Sequence, residues 1–86
     1  MFTVYILRTS SNSLYTGQTN NLSKRLLEHK NKTHRSAKYL RRFAFFELVY
    51  TEKIATRSLA LKREAEIKKM PKAKKEALVN SMILPS

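Results

Sequence analysis

The spacing of hydrophobic positions changes along this chain, and each change marks an element. From Phe2 to Arg8 two sets alternate, Phe2, Val4 and Ile6 against Thr3, Tyr5 and Leu7, which is the two-residue period of a strand. The cluster Thr9-Ser10-Ser11-Asn12-Ser13 supplies turn formers before Leu14-Tyr15-Thr16-Gly17-Gln18, and together these segments predict a β-hairpin. A five-residue loop pairs Arg8 with Leu14, Leu7 with Tyr15 and Tyr5 with Gly17, so both tyrosines share a face; a four-residue loop splits them. The five-residue loop is favoured. Gly17, the only glycine of the chain, then leaves open space opposite Tyr5.

The period lengthens after Thr19-Asn20-Asn21, which offer N-cap residues for a helix running through about Lys30. Leu22 and Leu26 form its buried stripe, Arg25 and His29 fall on the edge of that stripe as i, i+4 neighbours, and Lys24 and Glu28 point away. Residues 31–42 read as a basic connection. Phe43 to Tyr50, rich in aromatic and β-branched residues, reads as a third strand carrying Glu47. A second helix is expected from about Ala55 to Lys69, with Ala60 and Ile67 at the centre of its apolar arc, Leu59 and Met70 on one side and Leu61 on the other. Glu64 falls between Ala60 and Leu61, where a carboxylate is costly unless a cation or a hydrogen-bond donor meets it, whereas Glu66 falls at the margin beside Lys62. Pro71 ends that helix and fits the N1 position of a last one, through about Ser81. Three strands and three helices in this order predict an α+β fold, a sheet covered by helices, as a single domain over residues 1–86.

Composition narrows the chemistry. A chain of 86 residues supports one modest core, burying roughly 60% of its unfolded surface. The absence of cysteine removes disulfides, thiolate metal sites and thiol catalysis, and suits a reducing cytoplasm. The apolar run from Phe2 to Leu7 is interrupted by Arg8 and is too short for a signal peptide or a membrane span, so a cytoplasmic protein with no membrane partner is expected. Lys and Arg number 18 against six Glu and no Asp, for a net charge of +12 and a pI near 10.4. Such a surface suits a polyanion, above all nucleic acid, whose binding is driven by counterion release; the alternative is a solvated basic surface with no polyanionic partner. The basic connection, through Arg35, Lys38, Arg41 and Arg42, is the candidate contact with phosphates. Any carboxylate that holds a metal or moves a proton must be one of Glu28, Glu47, Glu52, Glu64, Glu66 and Glu76.

Val4-Tyr5-Ile6, Tyr15-Thr16-Gly17, the helical pair Arg25 and His29, and Glu64 within Lys62-Arg63-Glu64-Ala65-Glu66-Ile67-Lys68 together resemble the GIY-YIG nuclease superfamily, in its small single-domain bacterial branch. The likeness spans residues 2–69. It implies a three-stranded antiparallel sheet flanked by helices and an endonuclease that hydrolyses phosphodiester bonds with Mg²⁺ or Mn²⁺, with DNA favoured over RNA and repair or processing of branched or damaged DNA as its setting. By the same resemblance, Tyr15 corresponds to the candidate general base, Tyr5 to a tyrosine lining the site, Arg25 to the arginine facing the scissile phosphate, His29 to a site position held by His or Tyr, and Glu64 to the metal-binding carboxylate. Gly17 and Arg25 join the nucleic-acid contacts. A free phenol titrates near about 10, so Tyr15 as base needs help from His29, Arg25 or a metal-bound water. The chain departs from the pattern at Val4 for Gly, at Thr16 for Ile and at Gln18, where many relatives carry Lys; Asn80 is a poor match to an Asn that many place after the metal-binding Glu. A second reading from another class is a non-catalytic basic nucleic-acid-binding module, either a degenerate nuclease fold or a ribosome-associated protein.

Overall fold

The computed structural model describes residues 1–31 and 38–82. Its sheet is built around β1 (Phe2–Thr9), with β2 (Leu14–Thr19) antiparallel on one side and β3 (Phe46–Ile54) antiparallel on the other. Val4, Tyr5, Ile6 and Leu7 are each at most 1% exposed, so the central strand is apolar on both faces and needs cover on both. Leu22 and Leu26 of α1 (Leu22–Lys30) and Leu40 of the single turn α2 (Lys38–Arg41) cover Tyr5 and Leu7. Ala60 and Ile67 of α3 (Arg57–Lys68), with Leu78 and Val79 of α4 (Lys72–Asn80), cover Val4 and Ile6. The three-stranded antiparallel sheet flanked by helices is the expected α+β architecture.

The hairpin adopts the five-residue register, with Arg8 opposite Leu14, Leu7 opposite Tyr15 and Tyr5 opposite Gly17. Its loop closes on Thr9, whose amide donates to Ser13 O at 2.9 Å and whose carbonyl accepts from Asn12 N at 2.9 Å. Asn12 sits at φ 66°, a left-handed conformation that Asn tolerates, and its Oδ1 accepts from Arg8 at 2.8 Å.

The third strand differs from expectation at both ends. It starts at Phe46 instead of Phe43 and continues to Ile54 instead of ending at Tyr50. Residues 43–45 leave the strand because Phe43 N donates to Leu40 O at 3.3 Å and Ser10 of the hairpin loop captures the next two residues: its amide donates to Phe45 O at 2.9 Å and its hydroxyl accepts from Ala44 N at 3.2 Å. The polar stretch Thr51-Glu52-Lys53 joins the strand because Phe2 to Tyr5 of β1 present a ladder to pair with. Between these segments Ile6 pairs with Tyr50 but Leu7 with Leu48, so Val49 is an extra residue in a bulge. Phe46 and Tyr50, four residues apart, would otherwise share a face; the bulge sends Tyr50 to the α3 side and Phe46 to the α1 side.

Helix starts follow their caps. Asn21 Oδ1 accepts from Lys24 N at 3.1 Å, and Thr56 Oγ1 accepts from Leu59 N at 3.2 Å, so α3 begins at Arg57, two residues later than Ala55. Pro71 is the N-cap of α4, one position before the expected N1, and its carbonyl accepts from Lys74 and Lys75. The turn α2 within the basic connection has no signature in the periodicity. Two ion pairs tie the outer helices to the sheet: Arg8 grips Glu76 of α4 through two bonds of 2.7 and 2.8 Å, and Arg63 of α3 grips Glu52 of β3, which also accepts from Tyr50 Oη at 2.7 Å. Among the described residues, no helix is long and apolar enough to cross a membrane.

The apolar arc of α3 is narrower than its composition suggests. Ala60 and Ile67 are fully buried, while Leu59 and Leu61 remain 52% and 42% exposed. Ile67→Ala should therefore lower the unfolding free energy by about 2–5 kcal/mol, and Leu61→Ala by no more than about 0.5 kcal/mol, as read by urea unfolding followed by circular dichroism.

Candidate active site

Four of the five side chains singled out in the sequence meet around one phenol. Tyr5 rises from the central strand and its ring lies flat over Gly17 of the edge strand β2, so the expected open space is filled by Tyr5 itself. A β-carbon at position 17 would stand 2.5 Å from Tyr5 Oη and 2.6 Å from Cζ. Gly17 is therefore required for close approach of a side chain; its own φ is not positive. Crossing the edge strand in this way brings Tyr5 Oη to 3.0 Å from His29 Nε2 and under the influence of the Arg25 guanidinium. The Tyr15 ring, on the same sheet face, packs 6.4 Å from Tyr5 and 5.8 Å from His29 between centroids.

His29 lies at the centre of the buried face of α1 and not at its edge, with only 2% of its surface exposed. Phe46, aimed by the bulge, meets it edge to face at 6.1 Å. Burial, reinforced by the positive charge of Arg25, lowers the His29 pKa to about 4, so the imidazole is neutral near pH 7. Burial, followed by the neighbouring Tyr15, pushes Tyr5 up to about 12, against the opposing hydrogen bond from Arg25. Tyr5 thus stays protonated: with the His29 proton on Nδ1, Tyr5 Oη donates to Nε2. Glu28 does not point away as expected. It is partly buried and accepts from Arg25 at 3.1 Å, which fixes the guanidinium along α1.

Glu64 stands on α3, which covers the opposite face of the sheet. Its carboxylate is only 18% exposed, acts electrostatically on Tyr5, and pairs with Lys68 one turn along at 3.4 Å. Lys68 in turn lines a shallow cavity with Tyr15 and Thr16. The remaining carboxylates are placed differently. Glu28, Glu52, Glu66 and Glu76 each pair with an arginine, and Glu47 is exposed on β3 opposite Arg8. Among the described residues no three His, Cys, Asp or Glu side chains gather to cage a metal. Thr16 Oγ1 and Gln18 Oε1, on the strand that carries Gly17, are buried without a hydrogen-bond partner. A single carboxylate and neutral oxygen donors fit a hard cation such as Mg²⁺, which keeps several waters, and do not fit a soft or fully protein-caged metal.

Of the expected phosphate contacts, Lys38, Arg41 and Arg42 are exposed on and after α2, with Arg42 stacked over Phe43 at 5.7 Å, while Arg35 lies outside the described residues. Arg25 instead shares a shallow cavity with Gln18, Asn20 and Arg57, so Arg57 and Lys68 are basic residues beside the cluster that sequence reasoning passed over. Phe46 was also missed, since only the bulge reveals which face it takes. Asn80 lines a separate cavity with Arg8 and Tyr50.

A sheet edge where a tyrosine over glycine meets an arginine and a histidine from the next helix, with a glutamate from α3 alongside, defines a nuclease-type domain: the GIY-YIG catalytic domain family matches residues 1–77, and the chain belongs to it. Within that family it is one of the UPF0213 proteins. It is 45% identical over 76 residues to a UPF0213 protein of Natronomonas pharaonis, covering 88% of this chain and 87% of that one, and 45% identical to one of Oceanobacillus iheyensis at 88% and 86% coverage. The solution structure of a UPF0213 protein from Bacillus halodurans superposes with a TM-score of 0.62 at 35% identity, covering 99% of this chain and 89% of the other. The family implies nuclease activity and a nucleic-acid substrate in general, and its nucleases generally use divalent metals.

Two outcomes follow from the cluster. Gly17→Ala forces the Tyr5 ring aside and should cost about 1–3 kcal/mol; in a Tyr5→Leu background the same change should cost little, and the coupling is read from a double-mutant cycle of urea midpoints. His29, with a folded pKa of about 4 against an ordinary 6.5, contributes stability that is complete above pH 6.5 and lost as pH falls toward 4, because the unfolded chain takes up the proton first. The slope in that window should approach about 1.4 kcal/mol per pH unit, and His29→Gln should remove that part of it when unfolding is followed from pH 7 to pH 4.5.

Proposed function

We propose that this chain is a metal-dependent endonuclease that hydrolyses phosphodiester bonds in DNA. One observation carries the reading: a fixed guanidinium, a neutral buried imidazole and two tyrosines share one cluster, and the partly buried carboxylate of Glu64 acts on it electrostatically, in a chain of net charge +12. Hydrolysis needs a water deprotonated as it attacks phosphorus in line, a positive charge for the phosphoryl oxygens, and stabilisation of the departing oxygen.

The side chains divide these tasks. Arg25, held by Glu28 and Tyr5, presents a preorganised positive charge toward the phosphoryl oxygens. Tyr5, with its proton retained to about pH 12, does not serve as the base; it is a positioning residue that locks Arg25 and His29 together. Tyr15 is then the phenol assigned to the attacking water, its ring set by packing against Tyr5 and His29. Glu64 would hold the divalent cation, with Lys68 released from it, and Thr16 and Gln18 are the nearby oxygen donors. When bound, the cation supplies charge neutralisation at the departing oxygen.

The test is a nicking assay with Mg²⁺ or Mn²⁺ on branched, single-stranded and duplex DNA. Glu64→Gln should reduce cleavage on the order of 10²-fold or more, the scale of losing one preorganised electrostatic group, while binding in EDTA survives. Glu66→Gln should cleave like the wild type, since that carboxylate is 53% exposed and paired with Arg63. Tyr15→Phe should lose turnover while keeping the fold, because the packing ring remains. Wild-type protein that binds all three substrates and cleaves none would assign the chain to the non-catalytic reading.

A further inference from the structure

A further concave feature of the fold lies behind the hydrolytic cluster, with His29 common to both. An aromatic and aliphatic cavity of about 590 Å³ opens between α1, α2 and the start of β3, lined among the described residues by Leu26, Leu27, His29, Leu40, Phe45 and Phe46. Leu27 and Phe45 stand 57% and 66% exposed at this cavity, a large apolar surface turned to water in a strongly basic chain. Phe45 is also held in place, since Ser10 binds both its carbonyl and the amide of Ala44.

We infer that this cavity seats an unpaired nucleobase of the bound strand. The inference rests on reading the neighbouring cluster as the place where the phosphodiester is held. Three features favour this occupant. The cavity is of a size that admits a planar ring. Its surroundings are cationic: Lys30 lines it, and Lys38, Arg41 and Arg42 lie on and beside α2, which contributes Leu40 to its wall. The carboxylates nearest in sequence, Glu28 and Glu47, are set against Arg25 and Arg8 respectively. An apolar ring on an anionic tether, which is what an unstacked nucleotide offers, matches an aromatic seat within a basic rim. The third feature is continuity. His29 forms part of the cavity wall and is bonded through Nε2 to Tyr5 Oη, so a single imidazole separates the seat from the phosphate-facing cluster. An intact duplex, with every base stacked and paired, has no ring to offer, so the seat favours single-stranded, gapped or bulged DNA.

The experiment is fluorescence anisotropy in EDTA, so that cleavage plays no part, using a duplex with one unpaired nucleotide, the same duplex with an abasic residue at that position, and the intact duplex. The wild type should bind the base-bearing bulge about 5- to 10-fold more tightly than the other two. Phe45→Ala should bring all three to one affinity without changing the intact-duplex value, and Phe45→Trp should restore the preference. Equal wild-type affinity for the base-bearing and abasic bulges overturns the inference. So does a Phe45→Ala variant that weakens all three alike, or one that loses a concentration-dependent dimer in sedimentation while binding DNA unchanged, which would assign the cavity to a second copy of the chain. Absence of any binding at low salt overturns both this inference and the nuclease reading. A base-dependent preference in a protein that never cleaves keeps the seat and overturns only the nuclease.

Discussion

A phenol ring laid across a glycine is the contact on which the rest of this arrangement depends. Tyr5 belongs to the central strand, where a side chain would ordinarily end beneath the covering helix. The missing β-carbon at position 17 lets its ring pass over the edge strand, so that its hydroxyl reaches His29 and Arg25 of α1 and lies within the field of Glu64 on α3. Elements from opposite faces of the sheet thereby act on one phenol. A buried tyrosine and a buried histidine are each costly if unpaired; burial keeps the imidazole neutral and the phenol protonated, and the hydrogen bond between them satisfies both.

Charge allocation explains why one glutamate stands apart. With 18 cationic side chains and six carboxylates, most acidic groups are drawn into structural pairs. Glu52 and Glu76 fasten α3 and α4 to the sheet through forked arginine bonds, and Glu28 orients Arg25. Glu64 faces a lysine instead, with no fork geometry to hold it. The cationic majority is then available to a polyanion. Lys68 thus joins Glu64 to the shallow cavity beside Tyr15.

The bulge at Val49 has an effect beyond its local geometry. By reversing the alternation within β3 it gives Tyr50 to the core under α3 and Phe46 to the layer under α1, and Phe46 then packs against His29 while also lining the aromatic cavity. One inserted residue thus shapes both the support of the imidazole and the wall of the neighbouring seat. The hairpin loop adds to this by gripping residues 44 and 45, which delays the start of β3 to Phe46 and leaves Phe45 displayed.

Local patterns were enough to read the hairpin register, the two cap-defined helices and the buried ridge of Ala60 and Ile67, because each depends on alternation, capping or helical spacing within a few residues. The same patterns placed Tyr5, Tyr15, Gly17, Arg25, His29 and Glu64 on the correct elements. What they could not contain is any contact made across elements. The space expected over Gly17 is closed by a ring from the neighbouring strand; His29 moves from the edge of a helical stripe to its buried centre because Tyr5, Tyr15 and Phe46 surround it; Glu28 turns inward because Arg25 must be held. The limits of β3 were misjudged for the same reason, since its start is set by Ser10 and its end by the length of β1. Periodicity reports which side of an element is apolar, whereas the partner that meets it, and hence the protonation state and aim of each polar group, is decided only when separate segments are packed together.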